Sequence, residues 1–214
     1  MNNSYDLFRK EAFQLKERYP GLTYRQDGSG IPAFEGILPL VSEENVVIDS
    51  YKVRILCSSN YPLTFPFVFE TGGRIPINLD WHIHLAGNAC ICSYPEEIIF
   101  CLQGITLQSF ISNHVIPYFF NQKHRELYGY FLMERSHGRK GNIEFFEESF
   151  KTADHFKIAQ MLNYIKQNQE PNRVAYCFCG SGVKYRNCHR SQFRKFKSIP
   201  AKILDRFIWL ILYR

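Results

Sequence analysis

Three cysteines and a histidine crowd into thirteen residues near the C-terminal end of this chain: Cys177, Cys179, Cys188 and His189, in the run CFCGSGVKYRNCH. That spacing constrains the fold more tightly than any other feature of the sequence. Three thiolates and one imidazole are a standard tetrahedral set for zinc. Gly180 and Gly182 let the chain turn back sharply enough to bring the second pair onto the first. Because the protein supplies all four ligands, the zinc is expected to be structural, not catalytic. The competing reading, a basic loop with three idle cysteines, fits poorly, since Cys/His spacing this short rarely lacks a metal.

Six of the seven cysteines cluster at 90, 92 and 101 and again at 177, 179 and 188, which points to metal or reactive thiols and not to disulfides. The start of the chain, MNNSYDLFRKEAF, has no basic stretch leading into an apolar one, as a secretory signal would. No apolar run is long enough to cross a bilayer. The expected setting is therefore the cytoplasm, where thiols stay reduced. An apolar content of 45%, with 19 Phe and 13 Tyr, supports a sizeable core. The net charge of +6 is uneven: residues 172–214 hold ten Lys/Arg and one acid, Asp205, whereas the 171 before them hold sixteen Lys/Arg against nineteen acids. Basicity belongs to the tail.

Ser4 is placed to cap a helix with Phe8, Ala12, Leu15 and Tyr19 on one face, stopped by Pro20 and Gly21. Strands are predicted around Leu22–Arg25, Ala33–Leu40, Val46–Leu56 and Phe65–Glu70, with turn-forming residues between them. Connections this short favour an antiparallel meander, because parallel neighbours need long crossovers. Residues 71–101 read as irregular and rich in Gly, His and Cys, the kind of long loop that carries function. Helical spacing returns at Leu107–Asn121, where Pro117 predicts a kink or an early end. It returns again from about Ala153, through Ile158, Met161, Leu162 and Ile165. The fold class is α+β.

The thirteen-residue run resembles the SEC-C motif, CxCGSGxKYxxCH, at every ligand position and through the glycines; hooks of that family are appended interaction modules. The order of helix, four-stranded meander, Tyr-Pro turn, Gly-Cys loop and helix resembles a ubiquitin-conjugating (E2, UBC-like) domain. Its carriers are the run YPLTFP from Tyr61 to Pro66, like the family's YP…P turn, and GNACI from Gly87 to Ile91, like G-x-x-C-[IL] around the catalytic cysteine. The chain is similar above all to bacterial E2-like proteins with a C-terminal SEC-C hook, which carry a helix of the type LQSFISNHVIPYFF. The resemblance implies an E2-like domain with a helical extension over residues 1–166, a linker at 167–173, the hook at 174–192, and a basic and apolar tail at 193–214.

The chemistry so implied is thioester exchange. A thiolate attacks the activated C-terminal carbonyl of a ubiquitin-like tail, and a lysine amine later attacks the thioester; cysteine suits both steps as nucleophile and leaving group. Cys90 holds the motif position, and Cys101 is the alternative nucleophile. Where E2 enzymes place His-Pro-Asn upstream, this chain reads Trp81-His82-Ile83-His84, so His84 or Asn88 would have to serve as oxyanion donor. His82 and His84 could instead ligate a metal with Cys90 or Cys92, but the glutamate and Pro-Cys-x-x-Cys pair of a zinc deaminase are missing.

The implied partners are the C-terminal tail of a ubiquitin-like protein or of a cGAS-like nucleotidyltransferase, with an E1-like activator and a JAB-type protease, in the setting of bacterial anti-phage (CBASS) operons. An inert E2-fold adaptor that binds such a tail is the alternative. The basic run RSQFRKFK, from Arg190 to Lys197, could bind nucleic acid, although a solvated basic tail is the plainer reading. The apolar stretch Ile203–Tyr213 is expected to form a docking helix.

Overall fold

The structure is a computed structural model and describes residues 3–213. It comprises two compact units, Met1–Glu134 and Arg135–Arg214.

The first unit opens with α1 (Asn3–Gln14). Phe8 and Ala12 are buried on one face, and Leu15 and Tyr19 extend that apolar stripe through the following turn. Ser4 lies within the helix and not at its cap. Four strands follow, β1 (Leu22–Gln26), β2 (Pro32–Val41), β3 (Val47–Leu56) and β4 (Phe67–Glu70), all antiparallel and in sequential order. The predicted meander is what forms. Phe34 pairs with Ile55, and Ile55 with Val68, so one row of apolar side chains runs across the sheet. Alternation puts Phe34, Leu38, Leu40, Tyr51, Val53 and Ile55 on the buried face.

A helix from Leu107 to Tyr128 supplies the rest of this core through Leu107, Phe110, Ile111, Val115 and Phe119. It is built of α3 (Leu107–Phe110), a π turn (Ile111–Val115) and α4 (Ile116–Tyr128). Pro117 neither ends nor interrupts it. Its missing N–H and bulky ring fall just after the widened turn, which absorbs the lost hydrogen bond, and Gly129 at φ 83° ends the helix instead. Glu11 ties these parts together, accepting from the Tyr61 hydroxyl and, at 2.8 Å, from the Leu107 N–H.

Residues 94–102, read from sequence as irregular, form α2 (Tyr94–Leu102). The Glu96 carboxylate accepts from the Ser93 N–H at 3.0 Å and from its hydroxyl at 2.6 Å, a local box that starts the helix with Pro95 in its first turn.

The second unit contains α5 (Gly138–Phe150), α6 (His155–Gln167), α7 (Arg190–Lys197) and α8 (Ala201–Leu212). Its start at Arg135 differs from the boundary expected at 166. Residues 135–166 pack with the hook and with the helices after it: His189 Nε2 meets the Phe150 carbonyl at 3.0 Å, Phe146 meets Phe207 at 5.3 Å, and Phe150 stacks on Phe196 at 5.1 Å. The tail expected at 193–214 is accordingly two ordered helices. Leu204, Phe207 and Ile211 of α8 are buried, as a docking helix requires. Lys197 donates to the carbonyls of Ile165 and Asn168 at 3.0 and 2.8 Å, closing the C-terminal end of α6.

Candidate functional site

Two clusters of chemically active side chains stand out, one in each unit. The first lies in the loop between β4 and α2. Trp81 and His82 close a short 3-10 turn, and His82 adopts the left-handed conformation at φ 52°. The chain then reverses at 84–88: His84 N–H donates to the Asn88 carbonyl (2.9 Å), and Gly87 N–H donates to the His84 carbonyl (2.7 Å). Gly87 sits at φ 87°, a conformation that any side chain would strain. The outgoing arm returns against β4, where Asn88 bridges Phe69 and the Ala89 N–H donates to the Val68 carbonyl at 2.7 Å.

Cys90 follows directly. Its N–H donates to the His82 carbonyl at 2.7 Å, and the Tyr118 hydroxyl donates to that same oxygen at 3.0 Å. Gln122, one helical turn beyond Tyr118, is buried and donates to the Trp81 carbonyl (2.7 Å) and to the Tyr118 hydroxyl (2.8 Å). Two side chains of α4 therefore grip two consecutive carbonyls of the loop, and through them the Cys90 backbone. The Cys90 thiol is half-buried, and its sulfur lies within 4.8 Å of a ring nitrogen of His82. The His82 ring in turn packs edge-on against Phe131, with centroids 4.8 Å apart.

Burial pushes the Cys90 thiol up from its ordinary value. Cys92 is driven well up by burial, with Glu96 and Glu97 adding to it. Cys101 is pushed to about 12 by burial and by Glu97. Cys101 faces the core from α2, so the helix holds it away from the loop surface. Of the three thiols, Cys90 alone has no carboxylate opposing its ionisation.

His84 lies exposed at the start of the reverse turn. Asn88 and Cys90 are two residues apart on the extended arm and so project to the same side. The Asn88 side chain bonds to none of the other described residues, which leaves its amide free to donate. His82 is the residue that reading by motif position passed over. The His-x-His pair was visible in the sequence, but only the reverse turn shows that the first histidine, not the second, lies beside the cysteine.

The second cluster brings Cys177, Cys179, Cys188 and His189 together, their ligand atoms all within 4.8 Å of one another. Cys177 and Cys179 sit on a small hairpin, in which Tyr176 bridges Lys184 and Cys177 N–H donates to the Val183 carbonyl at 2.8 Å. Gly180 and Gly182, at φ 75° and 72°, make its turn. Cys188 and His189 come from the residues just before α7. The Cys179 and Cys188 sulfurs are 3.6 Å apart, and His189 Nδ1 lies 3.4 Å from Cys177 Sγ and 3.1 Å from Cys188 Sγ. A tetrahedron of sulfurs about 2.3 Å from one ion has edges of about 3.8 Å, so these donors can hold a metal ion with little movement. His189 Nε2 meets the Phe150 carbonyl at 3.0 Å, which fixes the proton there and turns Nδ1 toward the sulfurs.

The basic run in α7 is spent on the fold. Arg194 pairs with Glu170 at 2.8 Å, Lys195 lies 4.9 Å from the Phe145 ring centre, and Phe193 and Phe196 are buried where base stacking would need them exposed. Among the described residues, no helix is long and apolar enough to cross a membrane. No family model, curated protein or solved structure matches this chain.

Proposed function

We propose that the first unit is an E2-like cysteine acyl transferase. Cys90 would accept the C-terminal acyl group of a ubiquitin-like protein or of a cGAS-like nucleotidyltransferase and pass it to a target amine. The observation that carries this reading is the presentation of Cys90: a half-buried thiol at the end of a backbone-locked loop, with the Asn88 amide on the same side of the chain. The helix, four-stranded meander and Gly-Cys loop come in the order that the E2 resemblance requires. Attack by Cys90 sulfur on a thioester forms a new S–C bond, and the donor thiol leaves as the tetrahedral intermediate collapses. Asn88, two residues before Cys90, would donate to the oxyanion. An E1-like activator would supply the thioester and a JAB-type protease would process the product, in the bacterial cytoplasm during anti-phage defence.

The second unit, in this reading, holds a structural zinc. Cys177, Cys179, Cys188 and His189 would bind it as three thiolates and a neutral imidazole, leaving no open position for chemistry. The ion would pin the hairpin to the start of α7.

Intact-mass measurement without reductant, on protein incubated with its neighbouring operon proteins, tests the transferase. An adduct that thiols remove and Cys90→Ala abolishes is the expected result. One observation favours a second reading, an inert adaptor: burial raises the Cys90 thiol and so disfavours the free thiolate. That reading expects co-purification of the partner without any adduct, and full function in Cys90→Ala.

A further inference from the structure

We propose that His82 is the proton acceptor for Cys90, so that the loop carries a thiol–imidazole pair; this rests on the reading of Cys90 as an acyl acceptor. Three features of the geometry converge on it. The Cys90 sulfur lies within 4.8 Å of a His82 ring nitrogen, a separation that a small side-chain rotation or one bridging water spans. The two residues also share a backbone hydrogen bond, Cys90 N–H to the His82 carbonyl at 2.7 Å, so their relative position does not depend on a flexible side chain alone. Finally, the Tyr118 hydroxyl fastens that carbonyl from α4, and Phe131 sits against the imidazole at 4.8 Å. A histidine on an exposed loop would be free to rotate; this one is held next to the thiol.

The chemistry balances without an outside reagent. As the sulfur attacks the donor thioester, the S–H proton moves to the His82 ring nitrogen and the new S–C bond forms. Collapse of the tetrahedral intermediate breaks the old C–S bond, and the departing thiolate takes the proton back from the imidazolium. Within this unit, the titratable groups facing the pair are Glu134, whose Oε1 is 4.0 Å from His82 Nε2, the Tyr118 phenol, and Cys92. A carboxylate at that distance favours the imidazolium that the step creates. Burial, which raises the Cys90 thiol, makes a local acceptor all the more necessary.

The test is the pH profile of Cys90 alkylation by iodoacetamide in the full chain, followed by peptide mass. His82→Asn is the variant of choice. Asparagine tolerates the left-handed backbone that His82 adopts, and it keeps the carbonyl that binds Cys90 N–H. Near neutral pH, wild type should react about tenfold faster than His82→Asn, with the two converging once the thiol ionises unaided. Superimposable profiles would overturn the pair. Tyr118→Phe loosens the same carbonyl but keeps the imidazole, so it separates the ring from loop packing. It should keep the pH dependence of the wild type with a rate lowered less than His82→Asn lowers it, and a profile that falls to that of His82→Asn would mean that loop packing sets the reactivity and would overturn the proposal. A second readout separates this inference from the transferase itself. A His82-dependent profile with no thioester from any donor would sink acyl transfer and leave the pair standing. Thioester formation at equal rate in His82→Asn would sink the pair and leave the transferase standing.

Discussion

Both units place cysteine beside histidine, yet they use the combination in opposite ways. In the second unit three sulfurs and an imidazole converge from two short segments, and the outer nitrogen of His189 is committed to the Phe150 carbonyl. In the first, Cys90 lies beside His82 on a loop whose backbone is fixed by hydrogen bonds. In the proposed reading the difference separates two uses of the same chemistry. A donor set that leaves no position open would act as a staple, whereas a thiol held at its backbone with one imidazole beside it would be available to react.

The largest effect should come from breaking the staple. Removing the ion with a chelator, or replacing Cys188 with Ser, should unfold the hairpin and its junction with α7. For structural zinc, binding is worth on the order of 10 kcal/mol at neutral pH. Metal content and near-ultraviolet dichroism of the two forms check this. A metal-free protein that melts where the metal-bound one does would show that packing alone holds the hook. Next in size is the aromatic core beneath it. Phe196→Ala should cost about 3–5 kcal/mol, because a fully buried ring stacked on Phe150 leaves a cavity that the helices cannot fill. Thermal unfolding with metal in excess isolates that loss from any loss of the ion.

Much of this contrast was legible in the sequence, and for a physical reason. Metal ligation depends on residue type and spacing, so CFCGSGVKYRNCH announced the second cluster before any fold was known. The meander was equally open to reading, since short turns between β-branched and aromatic runs leave antiparallel pairing as the economical solution. Two helices, α2 and α5, carry signals that are local and mixed. α2 starts on a Ser93–Glu96 box and Pro95 inside a stretch whose Gly, His and Cys content reads as loop. α5 holds Gly138 and Gly141 in its first turns, and its aromatic residues declare a helix only once Phe196 and Phe207 are there to receive them. The basic run at 190–197 reads as solvated charge, because sequence does not reveal that Lys197 closes α6 and Arg194 answers Glu170. His82 was hidden for the same kind of reason: its nearness to Cys90 is a property of the 84–88 reversal.

Acid should separate the units further. Protons compete with metal for thiolates and imidazole, so the hook should release its ion as pH falls through about 5. The first unit relies instead on Asp49, which Arg74 holds by hydrogen bonds at 2.9 and 2.6 Å; against a smaller cost of burial, with Lys123 adding to Arg74, its carboxyl stays well below the usual carboxylate range. A depressed carboxylate contributes stability above the unfolded value of about 3.9 and loses it as pH falls toward the folded one. Because the Arg74 and Lys123 partners are both partly open to solvent, Asp49→Asn should cost about 1 kcal/mol at pH 7. The variant and wild type should converge only in strong acid. A gap that persists unchanged at pH 2 would mean that the side chain matters for packing and not for charge.

The smallest effect probes the loop directly. Tyr118→Phe removes one hydroxyl, which donates to the His82 carbonyl and accepts from Gln122. A net hydrogen bond is worth about 1 kcal/mol, so global stability should barely move. The loop should open more often, however, because that carbonyl also anchors Cys90 N–H. Exchange of the Cys90 amide should quicken by about fivefold, the factor that about 1 kcal/mol of local opening corresponds to. Amides of the hook, such as Cys177, which donates to the Val183 carbonyl, should not change. Equal acceleration in both places would mean that the loop and the hook open together, and the contrast between a hydrogen-bonded site and a metal-stapled one would fail.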